Sequence, residues 1–519
     1  MKLRARGQLS GWVEKLKIED EATHRFCAEW LRTCREGHAA CPSNIDVILP
    51  TRLLDVGPLG SDSIRLIVTA GQKGSYIALS HCWGGGIEVQ TTKDNIEDRK
   101  NAILDSQLPA TFQDAVAVAR DLKQRYLWID ALCIVQDDLE DWEQESGNMA
   151  AVYCNAYIVL GADMSSSSHN GFLDAASGGY HGRGKPVAVV ESENSSIYGR
   201  LLWFHNNPCP IFSNAPPEPL AKRAWTMQEQ MLASRMVHFA RKEMIWECNS
   251  ALLCECMELD GQFYKSLNQH YKPTLTISPW SPASFKTWYR IVNEVADRNI
   301  TDSQDILPCL SGLAQRFRDR GAGTSLAGLW LDDLLVGILW QGSDSYSRIT
   351  PYRAPSWSWA SVSGSSRLYD FTAGFVDKDT KLSKTFARVL EAKCIVKGKY
   401  PHGTVSDGYI KIEAPLLEMS WCRCHGNRTL SQQCLGACST WHVPWFDFGY
   451  VPDYNESLFF LFIGEFNRGA NGKPCRGLTL RRRYDAPGVV YERIGTFHLD
   501  RDGERNFIVG VEKGVVVIV

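Results

Sequence analysis

No stretch of this 519-residue chain approaches the roughly 20 consecutive apolar residues that a membrane helix needs. The most apolar runs, 458–463 and 515–519, have strand lengths. Lys2, Arg4 and Arg6 lead into Gly7, Gln8, Ser10 and Gly11 without an apolar segment, so a secretory signal is not expected and a cytoplasmic protein is. Neither sign of charge dominates. Against 59 acidic side chains stand 56 basic ones, a net charge of -3, which supplies no field to gather a polyanion; neither nucleic acid nor membrane is an expected partner. There is no internal repeat and no low-complexity tract, which leaves solenoid and propeller architectures with little support.

What is present is the balance of a globular protein, 44% hydrophobic and 22% charged, at a length that calls for two or three packed units. Seventeen cysteines, an odd number spread through a long chain, read as reduced and mostly buried thiols.

Apolar periodicity divides the chain into an N-terminal helical segment (1–45), an α/β domain (46–255), a helical region (256–350) and a β-rich C-terminal domain (351–519). Within the second segment, strands are expected at 76–80, 126–129 and 156–162. Between them lie a helix opened by Pro109 and another capped by Asp137 or Asp138. Strand and helix alternating at these lengths predict a parallel sheet flanked by helices. A strand pair at 236–240 and 244–248 completes the domain, and 165–196 reads as a long surface loop. Phe285, Trp288, Ile291, Val292 and Val295 share a helical face, and with the apolar run 329–339 they suggest a bundle.

Ligands of open parallel sheets bind beyond the carboxyl ends of the strands, which makes Ser80, His81, Trp83, Asp130 and Asp163 candidates. Gly84, Gly85 and Gly86 would let a ligand approach the backbone, or would simply make a turn anchored by Trp83; they lack the spacing of a dinucleotide fingerprint. Cys133 with His81 and Asp130 has the composition of a cysteine hydrolase site, but Cys133 sits in an apolar run and reads better as a buried thiol.

Two groups could hold zinc. Cys27, Cys34, His38 and Cys41 recur with Trp30 and Leu31 at helical spacing, which fits a docking face or a metal site. Cys422, Cys424, His425, Cys434 and Cys438 cluster in a short segment that is either a small zinc site or a surface hairpin with free thiols.

Three blocks together resemble the fungal heterokaryon-incompatibility (HET) domain: YIALSHCWG at 76–84, LP at 108–109 through WIDALCIVQD at 128–137, and RAWTMQE at 223–229. Later segments, DILPCLSGLA at 305–314, AGLW at 327–330 and APSWSW at 354–359, resemble stretches that often follow it. The resemblance implies a cytosolic protein of self/non-self recognition and regulated cell death, with a protein partner in incompatibility signalling. It also implies a domain distantly similar to TIR domains, with a TIR- or flavodoxin-like sheet.

TIR-like domains can cleave the nicotinamide bond of NAD, which needs a carboxylate beside the ribose. The TIR pattern sets its glutamate four residues after the tryptophan of a Trp-Cys pair. Here that position is Ser146, and Glu145, one residue earlier, is the carboxylate on the apolar face of its helix. Glu145 and Glu229 are the candidate catalytic carboxylates, with His81 and Asp130. Ser80, Trp83, Gly84, Gln136, Asp137, Arg223, Trp225 and Gln228 are the candidate contacts to a nucleotide or small-molecule ligand, NAD being the possible substrate. The bland alternative pairs Glu145 with Arg120 or Arg223 and makes Arg223 and Glu229 an internal ion pair. Two further functions fit: a small-molecule tailoring enzyme with a cavity lined by His81, Trp83 and Asp130, or a non-catalytic signalling adaptor.

Overall fold

A computed structural model of the chain describes residues 21–86, 89–173, 187–192, 195–199, 217–241, 244–254, 272, 275, 280–341, 347–363, 382–398, 401–422, 429–431, 445–447, 450, 453, 456–466, 474–486, 488–499 and 510–519. It divides into two compact units, residues 1–278 and 279–519.

The first unit is built on a nine-stranded sheet. In chain order its strands are β1 (Arg52–Asp55), β2 (Ser63–Val68), β3 (Ile77–Ser80), β4 (Ile103–Leu104), β5 (Tyr126–Trp128), β6 (Ile158–Gly161), β7 (Arg235–Phe239), β8 (Met244–Cys248) and β9 (Leu252–Cys254). In space the order is β9-β8-β7-β6-β3-β5-β1-β2-β4. The expectation of a parallel sheet holds only at its centre. β7, β6, β3 and β5 run parallel, whereas β1 pairs antiparallel with β5 and β8 antiparallel with β7. The difference arises from antiparallel hairpins at both ends of the domain, which add strands without a crossover helix. β1–β2 is one; its alternation of buried Ile64 and Leu66 with exposed Arg65 is that of a strand covered on one face.

β3 and β6 are buried along their whole length, as strands covered on both faces must be. The connecting helices are α2 (Ala110–Asp121), entered through Pro109, and α3 (Leu139–Asn155). The Asp138 side chain accepts from the Glu140 and Asp141 backbone N–H groups and so caps α3. Ahead of the sheet lies α1 (Glu21–Gly37), whose Cys27, Trp30, Leu31 and Cys34 are buried; Trp30 packs on Trp246 of β8 with ring centroids 6.4 Å apart. A final helix of this unit, α4 (Ala224–Leu232), precedes β7. Of the long loop after β6, residues 187–192 and 195–199 form an antiparallel hairpin.

In the second unit α5 (Ser284–Ala296) buries Phe285, Trp288, Ile291, Val292 and Val295 on one face, as the spacing predicts. A helical bundle does not follow among the described residues. The run at 329–339 is divided into a two-residue strand (Leu329–Trp330), a 3₁₀ turn (Leu331–Asp333) and one helical turn (Leu334–Gly337). Tertiary packing explains the break: Trp330 closes against Trp288 and Phe317, with centroids 5.3 and 6.0 Å away, and the Gly328 carbonyl accepts from Trp288 Nε1 and Trp359 Nε1.

The rest of the unit is barrel-like. Its strands are β10 (Arg388–Val396), β11 (Val405–Cys422), β12 (Ser457–Phe466), β13 (Cys475–Arg483), β14 (Val490–Leu499) and β15 (Lys513–Ile518). The 18-residue β11 makes the closure, pairing with β10 and β15 through its first part and with β12 through its last. Leu458, Phe460, Phe462, Ile494 and Phe497 fill the interior.

Candidate functional site

The four parallel strands lie side by side with the second in chain order first, then the first, third and fourth (β5, β3, β6, β7). The winding therefore reverses between β3 and β6, and an open α/β sheet offers its crevice at the carboxyl ends on either side of such a reversal. Ser80 ends β3, Asp130 follows β5, Asp163 follows β6, and His238 stands on β7 opposite Gly161.

Polar side chains gather there. The Ser80 hydroxyl donates to Glu229 Oε2, from α4, and Arg223, just before α4, donates to the His81 carbonyl. Trp83 Nε1 donates to Asp130 Oδ2 at 2.9 Å, and His81 Nδ1 lies 3.7 Å from Asp130 Oδ1. Tyr153 of α3 donates to the Leu79 carbonyl at 3.2 Å and also bonds Glu229. Ser80, His81 and Glu229 are buried, while Trp83, Asp130 and Arg223 keep some exposure and Gly84, Gly85 and Gly86 are open to solvent. Burial raises the Glu229 carboxyl to about 7 despite the opposing pull of Arg223 and the Ser80 hydrogen bond. Burial likewise lowers His81 to about 4, with Asp130 opposing, so its imidazole is neutral at pH 7. Its Nε2 is buried without a hydrogen bond, and its ring packs edge-on against Phe112, centroids 5.1 Å apart.

The structure thus brings together Ser80, His81, Trp83, Asp130, Arg223 and Glu229. Gln136 serves the turn below them, its amide donating to the Asp130 and Ile134 carbonyls at 3.1 Å. Gln228 is buried on α4 and Trp225 half-buried. Asp137 stands apart, exposed, accepting from the Lys93 backbone N–H.

Glu145 has different neighbours: it bonds Thr51 and feels Arg52 and Asp141, and burial pushes its carboxyl up. Arg52 in turn grips Asp141 at 2.7 and 2.5 Å and donates to the Cys133 carbonyl. Arg120, a candidate partner for Glu145, instead pairs with Asp105 at 2.6 Å. The Cys133 thiol is buried and raised to about 12 by that burial, the condition of an inert core thiol. Of the C-terminal cysteine group, Cys424, His425, Cys434 and Cys438 lie outside the described residues, as does the side chain of Cys422.

A second buried network that spacing did not suggest adjoins the first. His238 Nδ1 lies 3.2 Å from both oxygens of Asp163, and its Nε2 lies 3.2 Å from Glu247 Oε2. Lys272 Nζ completes it, 3.2 Å from Glu247 Oε1. A histidine and a glutamate within otherwise apolar strands were the available signal. A groove of about 780 Å³ opens elsewhere on the unit, bordered by Asp55, Arg65, Arg120 and Arg125, but Arg65 and Arg125 pair with Asp55 and Arg120 with Asp105. The strand ends, where perturbed groups converge, are therefore the candidate site, in preference to this groove, whose arginines are paired.

Gly84 is where loop and site meet. Its φ is +78°, and a Cβ there would come within 2.6 Å of the Ser167 Cα. Thr111 N–H in turn holds the Ser168 carbonyl at 2.9 Å, so the Ser167 backbone has little room to retreat. Gly84→Ala is expected to cost about 1–3 kcal/mol, read as a lowered midpoint in thermal unfolding.

A sheet with a parallel centre and antiparallel margins, with helices between its strands and a polar cluster at the strand ends, defines a mixed α/β domain. Residues 76–229 match the family model described as heterokaryon incompatibility protein (HET), and this region of the chain is a HET domain. The match begins at Tyr76, the residue before β3, and ends at Glu229, so both ends of the polar cluster lie inside it. No curated protein and no solved structure matches the chain. No described helix is long and apolar enough to cross a membrane.

Proposed function

We propose that this chain acts in self/non-self recognition leading to regulated cell death, and that its HET domain works through the strand-end cluster on a ribose-containing ligand, NAD being the first candidate. The observation that carries this reading is Glu229: a carboxyl buried at the end of a central parallel strand, raised to about 7, with Arg223 beside it. With its carboxyl at about 7, about half of the Glu229 population is ionised at neutral pH, and that carboxylate can stabilise an oxocarbenium-like centre, while the arginine suits a phosphate. The likeness to TIR domains belongs to this proposal, and the order of the parallel strands is what supports it. Glu229 is the favoured carboxylate and Glu145, with its separate neighbours Thr51, Arg52 and Asp141, the second.

The test compares NAD loss and cell viability on expression for the intact chain, Glu229→Gln and Glu145→Gln. Glutamine preserves the shape and the bond to Ser80. Glu229→Gln is therefore expected to unfold within about 1 kcal/mol of the parent while NAD loss drops by a factor of about 100 or more. NAD turnover that survives in both folded variants would remove the carboxylates from the chemistry. An adaptor is the second reading, favoured by how deeply Ser80, His81 and Glu229 are buried; cell killing by all three chains without NAD loss would select it.

A further inference from the structure

Three of the four donors on the α1 face do come together, and a fourth reaches them from the far side of the HET segment. Cys34 lies in the last turn of α1, His38 follows its end, and Cys41 sits three residues on; Cys248 is the last residue of β8. One ligand atom from each, the three sulfurs and an imidazole nitrogen, lie within 4.8 Å of one another. His38 Nδ1 is 3.4 Å from Cys248 Sγ. A tetrahedron with metal–sulfur bonds of about 2.3 Å has edges of about 3.8 Å, so the four atoms need close by no more than about 1 Å to form a four-coordinate shell. Cys27, although on the same helical face, is not in the group; Cys248 takes the place that spacing along α1 gave to it.

The surroundings are built for the sulfurs. The three thiols are buried and none is in a disulfide. The backbone N–H of Ala251 donates to Cys248 Sγ at 3.1 Å, and the Ser250 hydroxyl lies 3.7 Å from Cys41 Sγ. The Ala251 N–H stabilises thiolate charge on Cys248, and the Ser250 hydroxyl, to which the Cys41 thiol donates, can turn to donate once that sulfur is ionised. The loop and the strand end are also fastened to each other directly: Asn249 Nδ2 donates to the Ala40 carbonyl at 3.0 Å, and Arg235 donates to the Pro42 carbonyl. Arg235 is fully buried, and its bond to Pro42 sets its guanidinium beside the residue that follows Cys41. One buried arginine balances the single net negative charge that three thiolates and a neutral imidazole leave around a divalent ion.

We propose that Cys34, His38, Cys41 and Cys248 bind one structural zinc ion that clips α1 to the end of β8. Thiolate and imidazole donors in a closed four-ligand set select zinc over calcium or magnesium, and four protein ligands leave no open position for catalysis. The ligands stand outside residues 76–229 on both sides, so the ion ties together the two chain segments that flank the HET domain.

The test is the zinc content of the full chain, purified under reducing, chelator-free conditions from zinc-supplemented culture. Cys248→Ala and His38→Ala are each expected to contain one zinc equivalent less than the parent chain. Cys309→Ala, a buried thiol in the second unit, is expected to lose none. The difference is what assigns the site, because the C-terminal cysteine group could contribute zinc of its own. If neither ligand variant folds, zinc content and zinc-edge X-ray absorption of a chain whose Cys422, Cys424, Cys434 and Cys438 are all replaced by serine take their place, with one zinc retained, sulfur expected at about 2.3 Å and nitrogen at about 2.0–2.1 Å. A parent chain without zinc, folded ligand variants that keep its full content, or a shell made only of nitrogen and oxygen would each overturn the assignment.

Discussion

Replacing Arg493 by methionine is expected to destabilise the second unit by about 3–5 kcal/mol, because it strands a buried carboxylate. Arg493 on β14 is fully buried and Asp447 nearly so, and they meet through two bonds, Nε to Oδ2 at 2.9 Å and Nη2 to Oδ1 at 3.0 Å. The guanidinium also donates to the Ile338 carbonyl at 2.6 Å and to the Trp340 carbonyl, and lies 3.4 Å from the centre of the Trp340 ring. Burial lowers its pKa to about 10 while Asp447 opposes, so it stays charged at neutral pH. Methionine fills the volume but supplies no proton, leaving Asp447 and two carbonyls without these donors. Removing both charges in Arg493→Met with Asp447→Leu is expected to recover more than half of the loss. Urea unfolding of the full chain reads both, and a single variant within 1 kcal/mol of the parent would show that the pair contributes little to stability.

The second large effect concerns His238 and has a pH signature. Burial alone would lower its pKa, but Asp163 and Glu247 outweigh burial and raise it from an ordinary 6.5 to about 10. Glu247 moves the other way: burial pushes it up, yet Lys272 and His238 bring it down to about 2. A histidine raised in the folded state contributes its full stability below pH 6.5 and loses it as pH rises toward 10. A depressed glutamate contributes above its ordinary 4.5 and loses it as pH falls toward 2. Between about pH 7 and 9.5 the folded chain holds a proton that the unfolded chain has released, so stability should fall by up to about 1.4 kcal/mol per pH unit. His238→Gln is expected to cost on the order of 3 kcal/mol at pH 7 and to flatten that decline. Unfolding midpoints at pH 6.5, 8 and 9.5 for parent and variant decide it; parallel curves would mean that His238 is neutral in the folded protein.

These two networks also mark where the sequence stopped being informative. Strands such as β3 and β6 were legible because short apolar runs ending in glycine or polar residues have one economical solution, and the blocks at 76–84, 128–137 and 223–229 pointed to the HET domain directly. The strand-end candidates Ser80, His81 and Asp130 followed from topology, and Glu229 joins them because α4 carries it there. By contrast, β1 and β2 escaped notice because Arg52, Asp55 and Arg65 interrupt the apolar pattern, and in the structure those charges are paired with Asp141, Arg125 and Asp55. Cys248 could not be linked to Cys34 by spacing, since roughly two hundred residues separate them and only the fold closes the loop. The run at 329–339 misled because a short apolar stretch has no period that tells a helix from a strand packed against tryptophans.

The two units also differ in how they treat the edges of their sheets. The nine-stranded sheet finishes in β9, three residues long, and β4, only two, whereas β11 turns the second sheet back on itself through β12 and β15. The pairing of β11 with β12 and β15 and the shortness of β9 and β4 limit the unpaired amides there, whereas β10, nine residues long and at the end of its sheet, pairs only with β11 among the described residues. The foothold that this edge offers a foreign strand is blunted by its exposed charges, Arg388, Glu391 and Lys393. Aggregation under stress should therefore respond to the charge carried by β10, and Leu390→Lys on its exposed face should slow it.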